Sequence, residues 1–119
     1  MSDYLEKFTY YPNMASNQLS LKSSIATPKV VIVAPTRELA VQIANSARSL
    51  TVDTALLDQI ALVYGGASME QQAESLSRGC TILVATIGRL LDFINRDMVN
   101  IDKVEVSFCY SFYRIRMYF

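Results

Sequence analysis

The chain has 119 residues, eleven Lys plus Arg balanced by eleven Asp plus Glu, no histidine and two cysteines. That length supports one domain with a modest core, and zero net charge supplies no global pull toward nucleic acid or acidic lipid, so any anion site has to be local. Without histidine, a Ser-His-Asp triad, a Cys-His pair and a His-ligated metal are all excluded; no catalytic residue and no metal ligand is assigned.

In chain order, the start from Met1 to Lys7 carries acids where a signal peptide needs a basic region, and no apolar run follows. Residues 1–28 hold Tyr10, Tyr11, Pro12 and a serine-rich run with no periodicity, and read as a weakly structured lead-in. Val30 to Ala34 is an unbroken aliphatic run, suited to a parallel strand buried on both faces. It is the longest such run, far short of the roughly 20 residues a membrane span needs, so no membrane is expected and the default is a soluble intracellular protein. Pro35 stops the strand and Thr36 is a good N-cap. From Arg37, the residues Leu39, Ile43, Ala47 and Leu50 share one helical face with Ala40 and Ala44.

Gln59 to Tyr64 reads as a second strand closed by Gly65-Gly66. Ser68-Met69-Glu70-Gln71 is a capping box for a helix carrying Ala73 and Leu76, and Gly79 stands where a left-handed C-terminal residue belongs. Thr81 to Ala85 is a third strand. Gly88 to about Arg96 is a short helix with Leu90, Leu91 and Ile94 inward, and Lys103 to Phe108 starts a fourth strand. Cys80 and Cys109 stand 29 apart with no CxxC spacing, so the expectation is buried thiols in a reducing compartment, with neither zinc nor a disulfide framework. The alternation predicts an α/β fold, a parallel sheet with alternating helices and right-handed crossovers.

In such a sheet all strand-to-helix loops open on one edge, where ligands bind. Three loops qualify: Pro35-Thr36-Arg37-Glu38, Gly65-Gly66-Ala67-Ser68 and Thr86-Ile87-Gly88-Arg89. Each joins a hydroxyl or glycine to a helix N-terminus, whose free amides favour anions. Arg37 and Arg89 can grip phosphate bidentately. Taken singly, each loop also has a structural reading: a strand stop with its cap, a turn needing positive φ, a solvated arginine. Three anion sites on one edge suit a linear polyanion, which points to a nucleic-acid backbone. A phosphoacceptor receiver domain is excluded, since that chemistry needs carboxylates at strand ends, where Ala34, Tyr64 and Ala85 stand.

These residues carry a family resemblance. Val31 through Ile43 resembles motif Ia of the DEAD-box RNA helicases, Val63-Tyr64-Gly65-Gly66 their GG motif, and Leu83 through Asp92 their motif Ib, in the same order and spacing. Gln71-Gln72-Ala73-Glu74 with Arg78-Gly79-Cys80 looks most like the Vasa-like subgroup. The resemblance implies an incomplete RecA-like (P-loop NTPase-type) first lobe over residues 29–106, with 107–119 a divergent tail. It implies that Pro35, Thr36 and Arg37 hold RNA phosphates and sugars, that Gly65 and Gly66 let the backbone approach, and that Thr86, Gly88 and Arg89 grip the next phosphates. Glu38 would organise the arginines. The partner would be single-stranded RNA, bound weakly, insensitive to sequence and sensitive to salt; no aromatic stands in the loops for base stacking. A cytoplasmic location is implied, with ribonucleoprotein granules or the nucleus as alternatives.

The departures from the family are as informative. ATP and magnesium serve the full-length family, yet the first 64 residues hold no glycine for a P-loop; Lys22-Ser23 keeps only its final pair. The glutamine motif is not recognisable. Where Asp-Glu-Ala-Asp should follow, Ser107-Phe108-Cys109-Tyr110-Ser111 stands, and no acid occurs after Glu105. The Ser-Ala-Thr motif and second lobe are absent. No cofactor is therefore assigned, and ATPase and unwinding activity are not expected of this chain alone. Ile87 replaces the proline of motif Ib, which should loosen that loop. Six aromatics between Val106 and Phe119 fit neither a clean strand nor a clean helix; intron read-through and an isoform-specific tail are both open. The missing P-loop strand should leave its sheet neighbours unpaired and aggregation-prone. The expected function is that of a DEAD-box RNA helicase fragment keeping its RNA-backbone loops; the alternative is an interaction or interfering fragment that does not bind RNA.

Overall fold

Aliphatic runs without polar alternation can be satisfied only by burial on both faces, and the sheet is built on that requirement. The computed structural model describes residues 25–110 and 115–118. In chain order the elements are β1 (Val30–Ala34), α1 (Arg37–Leu50), a 3₁₀ turn (Ala55–Gln59), β2 (Ile60–Val63), α2 (Met69–Ser77), β3 (Ile82–Thr86), α3 (Ile87–Asn95), β4 (Val106–Tyr110) and β5 (Ile115–Tyr118). The five strands lie in the order β2-β3-β1-β4-β5. The first four are parallel, as expected of the α/β alternation, and β5 adds antiparallel to β4.

Register sorts the strand residues by face. Val31, Leu83 and Ala61 are aligned neighbours, as are Ile32, Val84 and Leu62 one residue on. The first set, with Val63 and Ala85, packs with Leu76 of α2 and with Leu90, Phe93 and Ile94 of α3. The second set packs beneath α1, where Ala40 and Ala44 are completely buried and Leu39 and Ile43 flank them. Alanines at 40 and 44 let α1 sit close on the sheet. Ala47 is half-buried, whereas Leu50 lies 84% exposed because α1 outlasts the strands beneath it. On α3 the innermost residue is Phe93, not Leu91, which is half-buried; Leu90, Phe93 and Ile94 form the i, i+3, i+4 stripe.

Several boundaries differ from those read in the sequence. Gln59 ends the 3₁₀ turn rather than opening β2. Thr54 caps that turn by accepting from the Leu56 amide at 3.2 Å, a local competition the hydropathy pattern does not reveal. β4 begins at Val106, not Lys103, because the Val104 amide donates to the Ile101 carbonyl in a turn. Residues 25–28 are packed rather than weakly structured. Ala26 bridges Val99, its amide donating to Met98 at 3.0 Å and its carbonyl accepting from Asn100 at 2.9 Å, and Pro28 is fully buried. A short backbone-paired segment has no periodicity to read. The expectations for residues 1–24, Lys22-Ser23 among them, lie outside the described residues.

The tail also behaves differently from its composition. The boundary read after residue 106 falls inside β4, and residues 115–118 form a regular strand from Tyr110↔Ile115 to Ser107↔Tyr118. β4 therefore has partners on both sides, β1 and β5, where an unpaired neighbour was expected. Hydrogen-bonding demand at an open edge explains why an irregular sequence adopts a strand there. Among the described residues, no helix is long and apolar enough to cross a membrane.

Candidate nucleic-acid interface

Parallel register puts the C-terminal ends of β2, β3 and β1 side by side: Val63 beside Ala85, Val33 beside Ala85, and Ala34 beside Thr86. The three loops thus leave consecutive strands, in the spatial order Gly65-Gly66, Thr86–Arg89, Pro35–Arg37. With strands about 4.8 Å apart, the outer two loops begin roughly 10 Å from each other.

At the end of β1, Thr36 is extended and its hydroxyl accepts from the Leu39 amide at 3.2 Å, so its capping role is fulfilled. Pro35 is exposed. Arg37 is 55% exposed and faces a 72% exposed Glu38 at 3.7 Å, a pair too open to hold the guanidinium. The arginine instead lies over the loop two strands away: a Cβ added to Gly66 would stand 3.4 Å from Arg37 Nη1. Gly66 has φ +85°, a left-handed conformation that glycine adopts without strain. Gly65 is exposed, and a Cβ there would meet nothing within 4 Å.

The β3 loop presents the least capped helix start. Thr86 precedes α3, but its side chain makes no capping hydrogen bond, and the first turn holds no acid. By contrast, α1 and α2 have capping hydroxyls on Thr36 and Ser68, with Glu38 and Glu70 in their first turns. The first amides of α3 therefore keep their appetite for an anion. Gly88 is exposed, with nothing near its missing Cβ. Ile87 occupies the first helical position and is 54% exposed.

Arg89 is placed unlike Arg37. Its side chain is only 11% exposed, and Nη1 donates to the Ala67 carbonyl at 3.2 Å and to Gln72 Oε1 at 3.0 Å. Nε is buried without a hydrogen-bond partner, 4.0 Å from Asp92 Oδ2. The arginine expected to grip phosphate is thus turned into the protein. Gln72, read in the sequence only as part of a subgroup signature, is the centre of this arrangement. It is buried; Oε1 accepts from the Tyr64 amide at 3.2 Å, and Nε2 donates to the Tyr64 carbonyl at 3.0 Å. A signal for it did exist: Gln72 sits on the helix face of Met69, Ala73 and Leu76, a polar residue in an apolar stripe.

The end of β4 carries Phe108, Cys109 and Tyr110, where the family resemblance leads to an expectation of carboxylates, and among the described residues no group of three or more His, Cys, Asp or Glu could hold a metal ion. Both cysteines are free, Cys80 buried and Cys109 half-buried. Burial pushes the Cys80 thiol from 9.0 up to about 12, opposed in part by the Ala61 backbone amide.

Comparison with known proteins matches residues 11–108 to the model of the DEAD/DEAH box helicases. The ATP-dependent RNA helicase vasa of Drosophila melanogaster is 47% identical over 81 residues, 68% of this chain and 12% of that protein. The ATP-dependent RNA helicase RhlB of Pasteurella multocida is 44% identical over 79 residues, 66% of this chain and 18% of that protein. The crystal structure of the yeast DEAD-box splicing factor Prp28 matches with a TM-score of 0.61 and 39% identity, over 71% of this chain and 19% of that one. The chain therefore spans less than a fifth of the length of each of these proteins.

Proposed function

This chain belongs to the DEAD/DEAH box helicase family, as a fragment of the helicase domain with its RecA-like α/β sheet, and on that premise we propose that it binds single-stranded RNA weakly through the phosphate backbone. The observation that carries this reading is the row of loops on three consecutive strand ends, with Arg37 lying over Gly66. The exposed set Pro35, Arg37, Gly65, Gly66 and Gly88 forms the contact edge, with Thr36 and Thr86 beside it. Phosphates meet the α3 amides and the Arg37 guanidinium. Zero net charge and a single exposed loop arginine keep the affinity low. Placement in the Vasa-like subgroup is part of the same proposal, supported by the phrases from Gln71 to Glu74 and Arg78 to Cys80.

ATP turnover lies outside this function. The sequence has no glycine before Gly65 to form a P-loop and no acid after Glu105 to hold magnesium, the two devices by which the family neutralises a transferring phosphoryl group.

The test is the affinity for a single-stranded oligouridylate across a series of KCl concentrations, with Arg37→Ala beside the wild-type chain. Arg37→Ala should weaken binding and flatten the plot of log K against log salt by about 0.7, the loss of one phosphate contact on a single strand. Replacing oligouridylate by oligoadenylate should change little. An Arg37→Ala variant with unaltered affinity and slope would sink the assignment. No binding by the wild-type chain would leave the partner-binding fragment as the better reading.

A further inference from the structure

Gln72 makes contacts that no ordinary helix surface residue needs. One buried amide group joins two residues far apart in sequence, the Tyr64 backbone and the Arg89 side chain. Its oxygen takes the Tyr64 amide and Arg89 Nη1, and its nitrogen gives to the Tyr64 carbonyl. The donors and acceptors around it leave only one orientation of the amide. Arg89 then closes the ring by donating to the Ala67 carbonyl. Tyr64 and Ala67 are the two ends of the turn that contains Gly65 and Gly66, and Gly66 is the residue over which Arg37 lies.

We propose that Gln72 and Arg89 are a positioning pair, which clamps the Gly65-Gly66 turn to the start of α3 and thereby sets the spacing of the phosphate contacts, Arg89 acting on RNA through the turn rather than as a phosphate ligand. The inference rests on the RNA reading above. Arg89 spends Nη1 on Gln72 Oε1 and the Ala67 carbonyl, and swinging the guanidinium out to a phosphate would give up both bonds, each worth about fivefold in an equilibrium, or about 1 kcal/mol. Both partners are also fixed in place. Gln72 stands on α2 facing the core beside Leu76, and Arg89 lies in the first turn of α3, next to buried Leu90. The pair therefore links two rigid helices across the top of the sheet, and the exposed loop between them inherits its geometry.

The experiment uses the full 119-residue chain with Gln72→Ala, Arg89→Ala, their double variant, Arg89→Lys, and Arg37→Ala for comparison. Each variant's folding is checked by its thermal midpoint. Oligouridylate affinity is measured over a KCl series, and the amide NMR signals of Tyr64, Gly65 and Gly66 are followed without RNA. Gln72→Ala and Arg89→Ala should each weaken binding about fivefold, the worth of one net hydrogen bond, and leave the salt slope at the wild-type value. The double variant should be no worse than the weaker single one, because the two residues act as a unit. All of these changes should move the Gly65 and Gly66 signals.

A phosphate ligand would behave differently: Arg89→Ala would flatten the salt slope by about 0.7, as Arg37→Ala does, and Arg89→Lys would retain binding as a point charge. Either result overturns the proposal. So does a Gln72→Ala variant whose loop signals stay in place. If the wild-type chain binds no oligouridylate, the RNA reading fails, and the loop signals alone decide whether the pair sets the turn.

Discussion

Glycines 65, 66 and 88 look interchangeable as loop residues, and geometry separates them. Only Gly66 has positive φ and a neighbour at 3.4 Å, the Arg37 guanidinium. Gly66→Ala should destabilise the chain by about 1 kcal/mol through the left-handed backbone alone and displace Arg37 as well. Gly88 is an open position in the first turn of α3, where alanine restricts the unfolded chain and favours helix. Gly88→Ala should therefore stabilise by about 0.5–1 kcal/mol. Urea unfolding of the two variants checks the opposite signs. Cys80 gives a second residue-level prediction. Its thiol is held neutral to about 12 in the fold, against 9.0 for the open chain. Above pH 9 the unfolded state gives up this proton and the native state keeps it, so stability falls as pH rises from 9 toward 12. The slope is at most about 1.4 kcal/mol per pH unit. Unfolding free energies at pH 8 and 10 should fall further for the wild type than for Cys80→Ala.

Among the elements, α1 and α2 were readable because their caps are chemical signals. Thr36 and Ser68 stand before the first helical residue and their hydroxyls accept from Leu39 and Gln71. The start of α3 carries no such signal, since Thr86 leaves its hydroxyl out of the cap. Ile87 is the first helical residue, a position whose amide lies outside the helix ladder and which favours proline. Ile87→Pro should raise stability by about 0.4–1 kcal/mol by restricting the unfolded chain. It should also tighten RNA binding by holding the bare amides of α3 in place. A thermal melt and the oligouridylate titration read both effects; a lower melting temperature would show that the local backbone rejects proline. The strand read from Lys103 starts too early because Val104, Val106 and Phe108 alternate with polar residues as a strand would, whereas the turn at Ile101–Val104 takes the first of them.

For the whole molecule, the sequence leaves open what lies on the far side of β4. The chain's own tail lies there: β5 covers the free side of β4, although every residue from Val106 to Tyr110 remains half-buried. Deleting residues 111–119 should expose the β4 edge and drive self-association. Size-exclusion chromatography over a concentration series would show larger species for the shortened chain than for the 119-residue one; identical profiles would deny β5 that role.

Local chemistry was enough to establish the α/β alternation, the strands β1 and β3, two helix caps and the three loops. Those properties depend on hydropathy runs, hydroxyls and glycines within a few residues of each other. Strand order, and with it the adjacency of the three loops, came only with the assembled sheet. So did the inward turn of Arg89, the hub at Gln72 and the strand formed by the tail. Each of these depends on a partner far along the chain: Arg89 meets Ala67 and Gln72, 22 and 17 residues away. An arginine in a first turn has the same letters around it whether it reaches for solvent or for a buried amide. Which of the two it does is decided by the helix that the fold sets beside it.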